Sequence, residues 1–163
     1  LNKIIIADAS PLIAFGSIDK LSVLFKLFAT VIIPGAVAGE CLTDKARPGA
    51  IAITQAIHDK KIQIHSVAPS SYEKILSILD EGEAQAITLA HSLNLPLLID
   101  EKLGRGAAKK LRVKIIGTIG VLLLAKQKKM IRAIKPILML LKNGHYFLSD
   151  ALIKEALTRA KEK

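Results

Sequence analysis

The chain has 163 residues, 51% of them hydrophobic, and a formal net charge of +10. That length suits one domain, 1–163, with a sizeable core, and it excludes disorder as the default. No apolar run approaches the roughly 18 residues of a membrane span, and no cleavage pattern follows the apolar N-terminal run, so neither membrane insertion nor a signal peptide is expected.

The single cysteine, Cys41, rules out an internal disulfide and fits a reducing, cytoplasmic setting. Aromatics are scarce at 4%, so the core must be built from Leu, Ile, Val and Ala. The charge is one-sided. Residues 1–82 hold eight basic and eight acidic residues, whereas residues 83–163 hold 16 basic and six acidic ones. A basic field of that kind attracts polyanions such as nucleic acid.

In chain order, residues 3–7 are apolar on both faces and predict a buried strand. Asp8-Ala9-Ser10-Pro11 ends it, with Ser10 suited to cap a helix and Pro11 to open one that runs to about Phe15. Leu21, Leu24, Phe25 and Phe28 have helical spacing. Thr30 to Ile33 reads as a second strand, and Pro34 opens a helix to about Leu42. Another helix follows from Arg47-Pro48-Gly49 to about Lys60. Ile62 to Val67 alternates, as a less central strand would.

Residues 70–79 then read as helical, Asp80 and Gly82 as a break, and 83–93 as a helix. Residues 97–100 predict a strand, 102–111 a helix and 113–116 a strand. Gly117-Thr118 turns into a helix over 119–128. Helices over 131–142 and 150–161 close the chain. Strands alternating with helices predict an α/β fold with a parallel sheet covered on both faces, its core over about 1–126 and a helical appendage over 127–163.

In such a fold the reactive edge is the carboxyl end of the strands. Asp8 and Asp100 fall there. Glu83, in the first turn of "EAQAITLAHSL", shares a stripe with Ala86, Ile87 and Ala90. Glu40 shares one with Ala36, Val37 and Cys41. Both helical acids are therefore expected on inward faces, and four carboxylates should meet at one edge. Crowded carboxylates repel, and bases or a hard cation relieve them. Oxygen-only ligands suit Mg2+ or Mn2+, while the scattered histidines and lone cysteine give zinc no support. Taken singly, each acid has a local use: Glu83 favours a helix N-terminus, and Glu101 can pair with Arg105 one turn on.

"IADASPLI", "IPGAVAGE", "GEAQAITLA" and "LLIDEKLGRGAA", in this order, resemble the acidic motifs of the PIN-domain nuclease superfamily. "GTIGVLLLAK" and the tail "KPILMLLKNGHYFLSDALIKEAL" resemble its small bacterial and archaeal branch, related to VapC-type toxins. The resemblance implies a three-layer α/β/α fold and hydrolysis of RNA phosphodiester bonds with Mg2+ or Mn2+. It implies Asp8, Glu40, Glu83 and Asp100 as the four acids, with Glu101 competing with Asp100 for the last place. It implies Ser10 and Thr118 beside them, and Lys102, Arg105 and Lys109 as holders of phosphate. It also raises an antitoxin protein and a second copy of the chain as partners.

A catalytically inactive PIN-like module that binds RNA or docks a protein is the alternative. A phosphoacceptor receiver domain fits less well, because Asp8 stands without a second acid beside it. No GxGxxG or Walker A stretch supports a nucleotide-binding domain.

Overall fold

The computed structural model describes residues 3–163; residues 1 and 2 of the expected 1–163 domain lie outside them. Five strands, β1 (Ile4–Ala7), β2 (Thr30–Pro34), β3 (Ile62–His65), β4 (Leu97–Leu98) and β5 (Ile115–Ile116), form one parallel sheet in the order β3-β2-β1-β4-β5. Ile6 pairs with Ile32 on one side and with Leu97 on the other. Ile5, Ile6, Ile33, Leu97, Leu98 and Ile99 are fully buried, as a sheet covered on both faces requires. β4 and β5 are shorter than the sequence implied, although ladder bonds continue from Leu97 N–H to Lys114 and from Ile99 N–H to Ile116.

The helices are α1 (Ala9–Ser17), α2 (Leu21–Leu27), α3 (Gly35–Leu42), α4 (Pro48–His58), α5 (Glu81–Leu93), α6 (Lys102–Lys110), α7 (Thr118–Gln127), α8 (Lys135–Asn143) and α9 (Asp150–Ala160). α1, α3 and α4 pack on one another, α3 on α5, and α5 on α6. α2 packs on α7, and α7 on α9. The result is a three-layer α/β/α fold. α1 and α4 cross where Gly16 meets Gly49, and a Cβ on Gly16 would lie 3.1 Å from Gly49 Cα.

The chain builds outward from β1 to β2 and β3, then returns to lay β4 and β5 on the other side. The switch point therefore lies between β1 and β4, and a crevice opens at their carboxyl ends. Asp8 directly follows β1, and Asp100 lies just past β4.

Three local expectations are corrected. The first helix starts at Ala9, with Asp8 rather than Ser10 at the cap position. Residues 70–79 form a 3-10 turn at Pro69–Ser71 and then a series of turns, not a helix. Tyr72 and Leu79 on that stretch are buried while Leu76 and Ile78 are exposed, so only part of its apolar surface is covered. The helix expected from 131 starts at Lys135, because Glu162 accepts from Ile134 N–H (2.8 Å) and Lys135 N–H (3.0 Å) and so fixes its first turn from the far end of the chain.

Candidate active site

Asp8 is buried at the switch point. Its side chain makes no N-cap hydrogen bond within α1; of the backbone, only the Ala9 N–H acts on its carboxylate. Burial, reinforced by the charges of Asp80, Asp100 and Glu101, pushes its carboxyl up to about 6 against the pull of the Ala9 backbone N–H.

Glu83 is buried in the first turn of α5, on the small-residue face with Ala86, Ile87 and Ala90. Its Oε1 lies beside the bare backbone of Gly104, where a Cβ would meet it at 3.3 Å and Ile99 Cδ1 at 2.6 Å. Glycine at 104 lets α6 approach both groups. Burial first, then Asp80, Asp8 and Glu101, raise the Glu83 carboxyl to about 7.

Glu40 reaches the same region but is an exposed residue late in α3, not the inward-facing one expected. Its Oε1 lies over Gly82, where a Cβ would collide with it. Its carboxyl is raised to about 7 by desolvation and then by Asp80 and Asp8. Burial pushes the neighbouring Cys41 thiol up to about 12, which leaves it inert.

Asp80 completes the group, and the sequence reading had treated it only as punctuation. It caps α5, accepting from Glu83 N–H at 2.8 Å, and its charge acts on Asp8, Glu40 and Glu83. An acid three residues before a buried acid, at a helix start, was the available signal.

Gln85 sets the register of these helices. Its Oε1 accepts from Ala36 N–H at the start of α3 (3.1 Å), and its Nε2 donates to Tyr72 Oη (3.0 Å) and Glu81 Oε1 (3.1 Å). Gln85→Ala would leave the Ala36 N–H in the first turn of α3 without its side-chain acceptor, and the Tyr72 hydroxyl with only its bond to Glu81. A loss of about 1–3 kcal/mol in denaturant unfolding is expected, with no change in the net charge of the site.

Asp100 is held on the other side of the crevice. Its Oδ1 accepts from Thr118 N–H (2.8 Å), and its Oδ2 accepts from Thr118 Oγ1 (2.5 Å) and from the Tyr146 hydroxyl. Tyr146 is a residue the sequence reading missed, since the contact spans 46 positions. Burial and the Asp100 charge push its hydroxyl pKa upward, so it stays a donor. Thr118 is buried.

Glu101 does not pair with Arg105. It caps α6 by accepting from Gly104 N–H (2.9 Å), while Arg105 Nη1 donates to the Ile99 carbonyl (2.9 Å). Lys102 and Arg105 line a cleft beside Asp100. Lys109 is exposed near the far end of α6 and lies away from the acids. Ser10 is exposed, beside a shallow depression shared with His145 and Tyr146.

Asp8, Glu40, Asp80, Glu83, Asp100 and Glu101 thus share one edge and act on one another electrostatically. Among the described residues, none of the six forms an ion pair with Lys, Arg or His. Nor, among them, do three such side chains converge on one point ready to hold an ion. Their donors are all hard oxygens, partly stripped of water and short of positive charge. That chemistry fits a hard divalent cation such as Mg2+ or Mn2+.

The fold and site define an α/β/α domain with acids lining the crevice at the switch point of a parallel sheet. The sequence matches the PIN-domain family DUF3368 over residues 4–162, and the chain belongs to that family. PIN-domain nucleases usually use divalent metal ions. The chain is similar to two solved structures. One is a PilT N-terminus domain protein, SSO1118, from Sulfolobus solfataricus P2, at 17% identity and a TM-score of 0.46, covering 72% of this chain and 89% of that one. The other is a domain of a functionally unknown protein from Methanocaldococcus jannaschii DSM 2661, at 22% identity and 0.49, covering 70% and 89%. No curated protein matches the chain. Among the described residues, no helix is long and apolar enough to cross a membrane.

Proposed function

We propose that the protein is a divalent-metal-dependent nuclease that hydrolyses RNA phosphodiester bonds. The observation that carries this reading is the group of carboxylates at the switch point: Asp8, Glu40 and Glu83 are raised by desolvation and then by neighbouring acids, and none of the group is in an ion pair among the described residues. A bound Mg2+ or Mn2+ supplies Lewis-acid activation of the scissile phosphate and of the attacking water.

Asp8, Glu83 and Asp100 are the acids that would hold it, with Glu40, Asp80 and Glu101 around them. Asp8 and Glu83 are fixed by burial. Asp100 is fixed by Thr118 and Tyr146, which leave part of Oδ1 free to face the crevice. Glu40 or Glu83, whose carboxyls stand at about 7, would accept a proton from water. Lys102 and Arg105 offset the charge of an incoming phosphate that the acids alone would repel.

The test is cleavage of a mixed RNA pool by the full chain. Cutting is expected with millimolar Mg2+ or Mn2+, and at least a hundredfold less in EDTA. Salt should suppress binding steeply, because phosphate contacts release counterions. RNA binding that ignores EDTA, with no cutting under any metal, would make the protein a binding module instead.

A further inference from the structure

The cleft next to Asp100 encloses about 830 Å³, and Arg105, Thr118, Tyr146, Phe147, Leu152 and Arg159 are among its lining residues. Phe147 is 89% exposed. The chain has four Phe, two Tyr and no Trp, and the other five rings are buried or half-buried. A large apolar ring left in water gives up about 2 kcal/mol of burial, so its position needs a reason. Its neighbour Tyr146 turns inward to Asp100, while Phe147 lines the cleft and stands open to water.

Arg159, exposed on α9, and Arg105, on α6, line the same cleft. Neither forms an ion pair among the described residues. An exposed aromatic ring that lines one cleft with two guanidinium groups is what a nucleobase and its flanking phosphates require, since every base offers a π-face and Arg matches phosphate oxygens.

We propose that Phe147 is a base-stacking platform: a nucleobase next to the cut site lies on its ring, while Arg105 and Arg159 hold the adjoining phosphates. This rests on the nucleic-acid reading above and adds to it a residue that seats one base beside the site whatever its identity. Since Tyr146 precedes it directly, a base seated on Phe147 also braces the segment that holds Asp100.

The experiment is binding of RNA decamers with 2-aminopurine placed at each position in turn, using the full chain with Asp8→Asn to prevent cutting, in millimolar Mg2+. One or two positions should be strongly quenched on binding. Phe147→Ala should abolish that quench and weaken binding roughly tenfold, in line with the usual worth of one stacked base. Phe147→Trp should keep both. Phe147→Leu, apolar but without a π-face, should behave as Ala.

Circular dichroism of each variant separates these effects from unfolding. An Ala variant that folds, binds as tightly and quenches as fully overturns the proposal, as does the absence of any quench with the parent chain. Phe147 would then be a contact for some other class of partner. The nuclease reading is judged separately, by cleavage with Asp8 intact. A parent that cuts RNA while Phe147→Ala cuts it equally, at the same positions, sinks the platform and leaves the nuclease standing.

Discussion

Asp8→Asn is expected to stabilise the metal-free protein at pH 8 and, in the same molecule, to remove metal-dependent cleavage. Asp8 is 5% exposed, and its folded carboxyl stands at about 6 because of burial and neighbouring acids. In the unfolded chain an Asp titrates near 3.9. The folded chain therefore holds the extra proton between about pH 4 and pH 6. The associated stability is whole below pH 4 and is lost as pH rises through 6. Glu83, at about 7, extends that loss by a further unit.

By pH 8 the Asp8 contribution alone is about 3 kcal/mol of lost stability. Asn removes the charge and leaves no cap bond unmade, though losing a carboxylate at the start of α1 costs about 0.3–1 kcal/mol. A net gain of about 2 kcal/mol is roughly 4–8 °C in Tm for a chain of this size. The gain should fade towards pH 4. Comparing the two chains at each pH cancels the general charging of the protein. Millimolar metal should raise Tm of the parent at pH 8 by linkage and do little for the variant, whose cleavage should fall at least a thousandfold, about 4 kcal/mol in barrier. A lower Tm for the variant in EDTA at pH 8 would show that the folded state uses the Asp8 carboxylate as a structural partner.

Asp8 and Glu83 were legible in the sequence because each breaks a pattern that burial imposes. Asp8 ends a run that is apolar on both faces, and Glu83 sits on the stripe of small residues that presses on the sheet. The sheet was legible for the same reason, since its central strands are among the most apolar runs in the chain. Periodicity could place Glu40 on a helical stripe but not decide how much of that stripe is covered, and α3 leaves Glu40 at the rim.

Contacts between distant segments were the part no local pattern could carry. Tyr146 meets Asp100 only after the segment between α8 and α9 folds back to the sheet edge. Glu162 fixes the start of α8 from the last turn of the chain. No local pattern singles out Gln85, which ties α5 to α3. Residues 70–79 have helical spacing, but the fold buries Tyr72 and Leu79 and leaves Leu76 and Ile78 exposed, and tertiary burial decides whether so short a stretch becomes a helix.

Asp100→Asn is expected to lower cleavage at least a hundredfold with the fold intact, whereas Glu101→Gln should stay within about tenfold, roughly 1.4 kcal/mol in barrier. A carboxylate offers about four acceptor sites. In Asp100, Thr118 N–H takes one on Oδ1, and Thr118 Oγ1 and Tyr146 Oη take those on Oδ2. One site on Oδ1 is left, aimed by three donors that prevent the group from turning. Such rigidity suits Mg2+, which demands near-ideal octahedral geometry.

Asn fits the same place, since both hydroxyls can turn to accept from its amide, so the lost charge is isolated from any loss of fold. Glu101 is exposed, and its carboxylate is occupied in capping α6 at Gly104 N–H. Gln supplies the same acceptor, while Glu101→Ala would lose the cap at about 1 kcal/mol of stability. The opposite ranking would mean that Glu101 leaves its cap to act as the inner ligand, and equal, severe losses would mean that both acids contact the ion. Tyr146→Phe provides the graded control. It removes one of the three donors and leaves the charge, and partners of this kind are worth about 10–100-fold. Its rate should therefore fall between those of the other two variants, and a Tyr146→Phe chain as active as the parent would mean that Asp100 needs no such bracing.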